Sequence, residues 1–119
     1  MLKLVGLEAY AKFPAGSLTY GQQRLLEIAR ALASQPKIIL LDEPSLGLAP
    51  IIVEDIFKTI KEINRDRGTT ILLVEQNSRI ALNTASRGYV LQNGEIAFSG
   101  SCEDLRNDPR VQRAYLGLA

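Results

Sequence analysis

The sequence predicts an α/β fold with a mainly parallel sheet flanked by helices, and three observations carry that reading. Two short runs, residues 38–41 (IILL) and 71–74 (ILLV), are apolar at every position, as in strands covered on both faces of a parallel sheet. Apolar residues recur at helical intervals before the first run and again between the two. An Asn93-Gly94 pair, a strong hairpin signal, follows a third strand-like segment. Strands separated by helices of this length define an α/β chain.

Each element has a local cause. Thr19 and Gln22 stand at capping-box spacing, and Leu25, Ile28, Ala29 and Leu32 continue at helical intervals behind them. That helix should stop before Pro36, because proline disfavours helical geometry at Gln35. After the strand at 38–41, Pro50 suits the first turn of the next helix. Val53, Ile56, Phe57, Ile60 and Ile63 form its buried stripe, and Gly68 ends it. The strand at 71–74 leads to a short helix from Ser78, then to a strand at 89–92. Asn93-Gly94 turns the chain into a partner strand at 96–99. Ser101 with Asp104 opens a closing helix, and Asp108-Pro109 restarts it towards Tyr115. No repeat, low-complexity tract or linker interrupts this order, so residues 1–119 read as one domain.

Composition excludes several function classes. The hydrophobic share of 46% suits a folded chain with one core. A formal charge of +1 argues against nucleic acid or anionic lipid as the main partner. No apolar run approaches the length of a membrane span, and the first residues lack the pattern of a secretory signal. Cys102 is the only cysteine, which fits a reducing cytoplasm and forbids an internal disulfide. Without histidine the chain can build neither a Ser-His-Asp triad nor an ordinary zinc site.

Three phrases carry chemistry. Asp42 and Glu43 directly follow the apolar run at 38–41, and in an open α/β sheet ligands collect beyond the carboxyl ends of strands. One carboxylate can hold magnesium while its neighbour orients and polarises an attacking water. Asp42 could instead cap a turn set by Pro44, which explains one acid but not both. The phrase Ser17 to Gln23 (SLTYGQQ) lies at a helix start, where unpaired amides and the helix dipole attract anions. There Thr19 offers a hydroxyl, and Gly21 lets a phosphate approach the backbone. A Ser/Thr-x-x-Gln alone is ordinarily only a cap, but this phrase is longer than a cap requires. Glu75-Gln76-Asn77 follows the run at 71–74, and the Gln76 amide could donate to a terminal phosphate or hold a water. Gln76 and Asn77 equally suit a loop that enters a helix.

Taken together, these phrases resemble those of ATP-binding-cassette ATPases. Leu18, Thr19, Tyr20, Gly21 and Gln22 are similar to the L-S-G-G-Q signature. Residues 38–42 with Glu43 resemble the Walker B strand and catalytic glutamate, and residues 46–49 resemble the D-loop. Gln76 falls where the switch histidine usually lies. The wording LLDEPSLGLAP, LLVEQN, YVLQNGEIAFSG and AYLG is similar to ATPase subunits of branched-chain amino-acid importers, and the likeness covers essentially the whole chain.

The resemblance implies ATP and Mg2+ as cofactors, with Asp42 holding the metal and Glu43 acting as general base or water-positioning carboxylate. Thr19, Gly21 and Gln22 would meet the γ-phosphate bound on a second, head-to-tail ATPase subunit, and Gln76 would sense that phosphate. The implied partners are that second subunit, membrane permease subunits and, indirectly, a periplasmic or extracellular substrate-binding protein, with no nucleic acid. The implied location is cytoplasmic, peripheral on the inner face of the cell membrane. Tyr20 replaces a signature glycine, Ala49 the usual D-loop aspartate, and Gln76 the switch histidine.

No G-x-x-x-x-G-K-[ST] loop occurs, so the likeness is to the carboxyl-terminal half of the fold, with the Walker A strand missing. Without that phosphate cradle the isolated chain is expected to bind and turn over ATP negligibly. A non-catalytic module that docks on a partner's nucleotide-loaded face, or a decayed gene product, is the alternative. In the family's sheet the Walker A strand lies between the strands corresponding to 71–74 and 89–92. The strands at 38–41 and 71–74 are therefore expected to pair, with a gap before 89–92 and with exposed apolar faces.

Overall fold

In the computed structural model, which describes residues 1–117, contacts gather into two units: Met1–Leu72 and a second that begins at Leu73. In the first unit, two short 3-10 turns at Glu8–Tyr10 and Ala15–Ser17 precede helix α1 (Tyr20–Leu32). The capping box forms as its spacing predicts. Gln22 N–H donates to Thr19 Oγ1 at 3.2 Å, and Thr19 N–H donates to Gln22 Oε1 at 3.0 Å. α1 buries Ile28, Ala29 and Leu32. Ala29 packs with Val5 and Leu7, and Leu2, Leu25 and Leu26 border that cluster. This contact ties the amino-terminal segment to α1.

Strand β1 (Ile38–Asp42), helix α2 (Pro50–Arg67) and strand β2 (Thr70–Val74) follow in order. All five expected stripe residues of α2, from Val53 to Ile63, are buried. Burying such a side chain contributes about 1.5–3 kcal/mol, so packing of this face outweighs intrinsic propensity in holding the helix. Pro50 occupies the first turn, and Gly68 caps the far end at φ +65° with its N–H donating to Asn64 O at 3.1 Å. β1 and β2 are neighbours in a two-stranded parallel sheet, entered where Thr70 N–H donates to Lys37 O at 3.0 Å.

Of the two expectations for the apolar runs, cover on both faces and exposed apolar faces, the structure shows the second. The fully apolar runs are not covered on both faces. Ile39 is buried, but Ile38 is 51% and Leu40 70% exposed, and Leu72 and Val74 are each 53% exposed. Alternate strand residues point to opposite faces, and the even-numbered face of both strands has no covering layer among the described residues. Periodicity alone cannot say whether a layer covers each face of a strand.

The second unit holds α3 (Ser78–Thr84), β3 (Arg87–Gln92), β4 (Glu95–Ser101), α4 (Cys102–Asn107) and α5 (Pro109–Tyr115). β3 and β4 pair antiparallel, with a register shift between Val90 and Leu91. Asn93 and Gly94 at their turn have φ +53° and +79°, the left-handed pair that a type I′ hairpin needs. Ser101 caps α4 and Asp108 caps α5, each accepting a backbone N–H as expected. Leu82, Cys102, Leu105 and Val111 form the core here, with Phe98 and Tyr115 against it. A Cβ at Gly88 would lie 2.8 Å from Leu105 Cδ1, so a glycine in β3 admits α4. Among the described residues the strands form two separate pairs, β1 with β2 and β3 with β4. No helix among those residues is long and apolar enough to cross a membrane.

Candidate functional site

β1 delivers its acids as the sequence predicts. Asp42 is the last strand residue and is exposed, while Glu43 beyond it is half-buried. Asp42 shares the uncovered face of Ile38 and Leu40, by the two-residue period of the strand. Glu43 has φ +46°, a left-handed conformation that costs a non-glycine residue about 1–2 kcal/mol. Pro44, which follows, is buried. Glu43 O accepts Leu46 N–H at 3.1 Å, Ser45 O accepts Leu48 N–H at 3.2 Å, and Gly47 at φ +76° completes the turn. The strand thus breaks off abruptly at the second acid. Asp42 also lines a shallow groove of about 190 Å3 together with Pro44, Arg24, Glu27, Ile28 and Ala31.

The signature phrase lies across the start of α1. Leu18 is half-buried, and its carbonyl accepts from Gln23 Nε2 at 3.3 Å. Thr19 and Tyr20 are exposed. Helix geometry supplies no carbonyl to the amides of Tyr20, Gly21 and Gln22, and Thr19 takes only that of Gln22. The glycine at position 21 also has a packing role. Gly21 is buried, and a Cβ there would lie 2.5 Å from Ile52 Cγ2 of α2, so its bare Cα serves the approach of two helices.

The structure brings the signature phrase together with the turn after Glu43. Tyr20 Cε1 lies 3.7 Å from where a Gly47 Cβ would sit, so the ring borders that turn. Sequence reasoning passed over Arg24. Its guanidinium carbon stands 5.0 Å from the Tyr20 ring centroid, its Nη2 donates to the Tyr20 hydroxyl at 2.5 Å, and its Nη1 lies 3.4 Å from Glu27 Oε2. Arg24 Nε is buried without a hydrogen-bond partner. The i, i+4 spacing of Tyr20 and Arg24 was the available signal.

Gln76 belongs to the second unit, exposed in the segment between β2 and α3. Ser78 Oγ donates to its carbonyl at 3.5 Å. Asn77 caps α3 by accepting Ile80 N–H at 3.2 Å, so that residue serves the helix entry. Among the described residues no three His, Cys, Asp or Glu side chains cluster as a metal cage. An exposed carboxylate such as Asp42 suits magnesium, which uses one or two carboxylates with waters and substrate phosphates.

The profile of the ABC transporter family matches residues 1–46. BraG of Pseudomonas aeruginosa, a high-affinity branched-chain amino acid transport ATP-binding protein, is 52% identical over 103 residues, 87% of this chain and 44% of its own length. The crystal structure of MJ1267 in its ADP conformation, an ATP-binding cassette of an ABC transporter, superposes with a TM-score of 0.83. It is 37% identical, and the match covers 98% of this chain and 47% of that one.

The chain belongs to the ABC transporter ATPases.

It spans less than half the length of the ABC relatives it matches. The dimeric structure of MJ0796, a bacterial ABC transporter cassette, is 33% identical with a TM-score of 0.71, over 85% of this chain and 44% of that one. The α/β architecture described above is therefore that of a partial P-loop NTPase fold.

Proposed function

We propose that residues 1–119 are part of the ATPase domain of an ABC importer subunit, which in a complete protein couples ATP hydrolysis to uptake of branched-chain amino acids. The observation that carries this reading is the end of β1. An exposed Asp42 is followed at once by Glu43 in a left-handed conformation that the fold must hold against its own cost. Strained backbone gathers where a side chain must be aimed, and Glu43, one of the non-glycine residues at positive φ, is the carboxylate that the family's chemistry needs.

In this reading Asp42 holds the magnesium that neutralises charge on the phosphates. Glu43 orients the attacking water and accepts its proton. Leu18, Thr19, Tyr20, Gly21 and Gln22 present the start of α1 to the γ-phosphate on a second, head-to-tail subunit. The amides of Tyr20 and Gly21, with the Thr19 hydroxyl beside them, provide donors suited to an anion. Gln76 contributes a neutral amide that responds to the γ-phosphate. Permease subunits and, indirectly, a substrate-binding protein complete the assembly, which places the chain at the inner face of the membrane. The dimeric cassette among the structural relatives supports the paired arrangement, and the role of BraG in branched-chain amino acid transport supports the substrate class.

The test is magnesium-ATP hydrolysis by the gene product extended upstream and assembled with its permease, with this chain alone as control. Glu43→Gln is expected to lower kcat by about 100-fold or more, because general base catalysis contributes roughly 10²–10⁴. The chain alone should show no turnover. Hydrolysis by the assembly that is indifferent to both Glu43→Gln and Asp42→Asn would sink the proposal.

A further inference from the structure

We propose that Tyr20, braced by Arg24, is a positioning residue that holds the turn from Glu43 to Gly47 and so sets the backbone at Glu43. This inference rests on the reading of Glu43 as the hydrolytic carboxylate and names what keeps it in place. The path is short and made of contacts. The Tyr20 ring edge stands beside Gly47, 3.7 Å from where a Cβ on that glycine would lie. Leu46, next to Gly47, donates its N–H to Glu43 O at 3.1 Å, and Glu43 is the residue at φ +46°. Arg24, one turn along α1, holds the ring through the hydroxyl and through its guanidinium at 5.0 Å from the ring centroid. Arg24 is itself tethered by Glu27 at 3.4 Å.

A tyrosine at position 20 therefore has work that a glycine could not do. It spans from the start of the signature helix to the turn that ends the acidic strand. Contacts of a partner's nucleotide with residues 18–22 would reach Glu43 through the ring beside Gly47 and the Leu46 N–H to Glu43 O hydrogen bond. Tyr20 need not touch the reacting atoms to affect hydrolysis.

The experiment follows amide hydrogen exchange in this chain by nuclear magnetic resonance, comparing the parent with Tyr20→Ala, Tyr20→Phe and Arg24→Met. Tyr20→Ala is expected to speed exchange of the Leu46 N–H about tenfold by local opening, and to shift the amide resonances of Glu43 and Gly47. Tyr20→Phe keeps the ring on Gly47 and should return these signals most of the way to the parent. Arg24→Met should fall between, and it decides the matter with Tyr20→Phe if the alanine variant does not fold. Leu46 exchange unmoved by Tyr20→Ala and Arg24→Met overturns the inference. An equal acceleration at Ile28 in mid-helix also overturns it, since that reports general loosening.

In the assembled ATPase, Tyr20→Ala should lower kcat about tenfold with KM changed less than about twofold, the pattern of an interaction realised in the transition state, and Tyr20→Phe should recover it. An unchanged kcat overturns the coupling. A parent assembly without magnesium-ATP turnover instead overturns the hydrolysis reading, while the exchange result still judges the contact itself.

Discussion

Replacing Gly21 by alanine should destabilise the Met1–Leu72 unit although alanine is the better helix former. The new methyl would lie 2.5 Å from Ile52 Cγ2, where carbon atoms ordinarily rest about 3.5–4.0 Å apart, so the Ile52 side chain or the helices must shift by about 1 Å. Forcing an extra methyl group into a packed contact costs about 1–3 kcal/mol. Against this, alanine recovers up to about 1 kcal/mol of helix propensity, and less near a helix end. The expected net loss is about 1–2 kcal/mol, read from urea unfolding followed by circular dichroism. Ile52→Ala removes the methyl that Gly21→Ala would strike. The double variant should therefore be more stable than the sum of the single effects by about 1 kcal/mol, a coupling that contacting residues show. A Gly21→Ala chain at least as stable as the parent would refute the reasoning. So would single effects that add within about 0.3 kcal/mol.

Two further outcomes follow from the second unit. Burial pushes the Cys102 thiol above its usual range, with Arg106 opposing more weakly, and the side chain is 2% exposed. Its reaction with a thiol reagent at neutral pH should proceed only as fast as the unit opens, so rapid stoichiometric labelling of the folded chain would contradict this. The side-chain hydrogen bond from Arg110, aided by backbone N–H donors at the start of α5, holds the Asp108 carboxyl down at about 2, against an ordinary value of 3.8. A depressed folded value means that the stabilisation is fully present above about pH 4 and is lost as pH falls through about 2. α5 should therefore fray in that window, and Asp108→Asn, which keeps a cap but cannot titrate there, should remove that step from a circular dichroism acid titration.

Much of the fold was legible because it is written in local interactions. Thr19 with Gln22, Ser101, Asp108 and Gly68 terminate helices through atoms within a few residues of one another. Asn93-Gly94 turns the chain because only left-handed backbone fits that hairpin. The stripe from Val53 to Ile63 shows which face α2 buries, since helical period alone brings those residues together. The placing of Asp42 and Glu43 was legible in the same way, since an apolar strand ends in paired acids. Arg24 went unseen because its partner, the Tyr20 ring, gains meaning only from the turn at Gly47.

The amino-acid order by itself determined the helices, their caps, the hairpin and the placing of two acids at a strand end, since each depends on neighbours along the chain. Only the tertiary structure decided which strand face lies open, what a side chain at position 21 would strike, and which ring stands beside the turn after Glu43. Those outcomes depend on residues brought together from distant parts of the chain, such as Ile52 against Gly21 and Tyr20 against Gly47. Distances between elements follow from packing, and packing is not a property of any one segment.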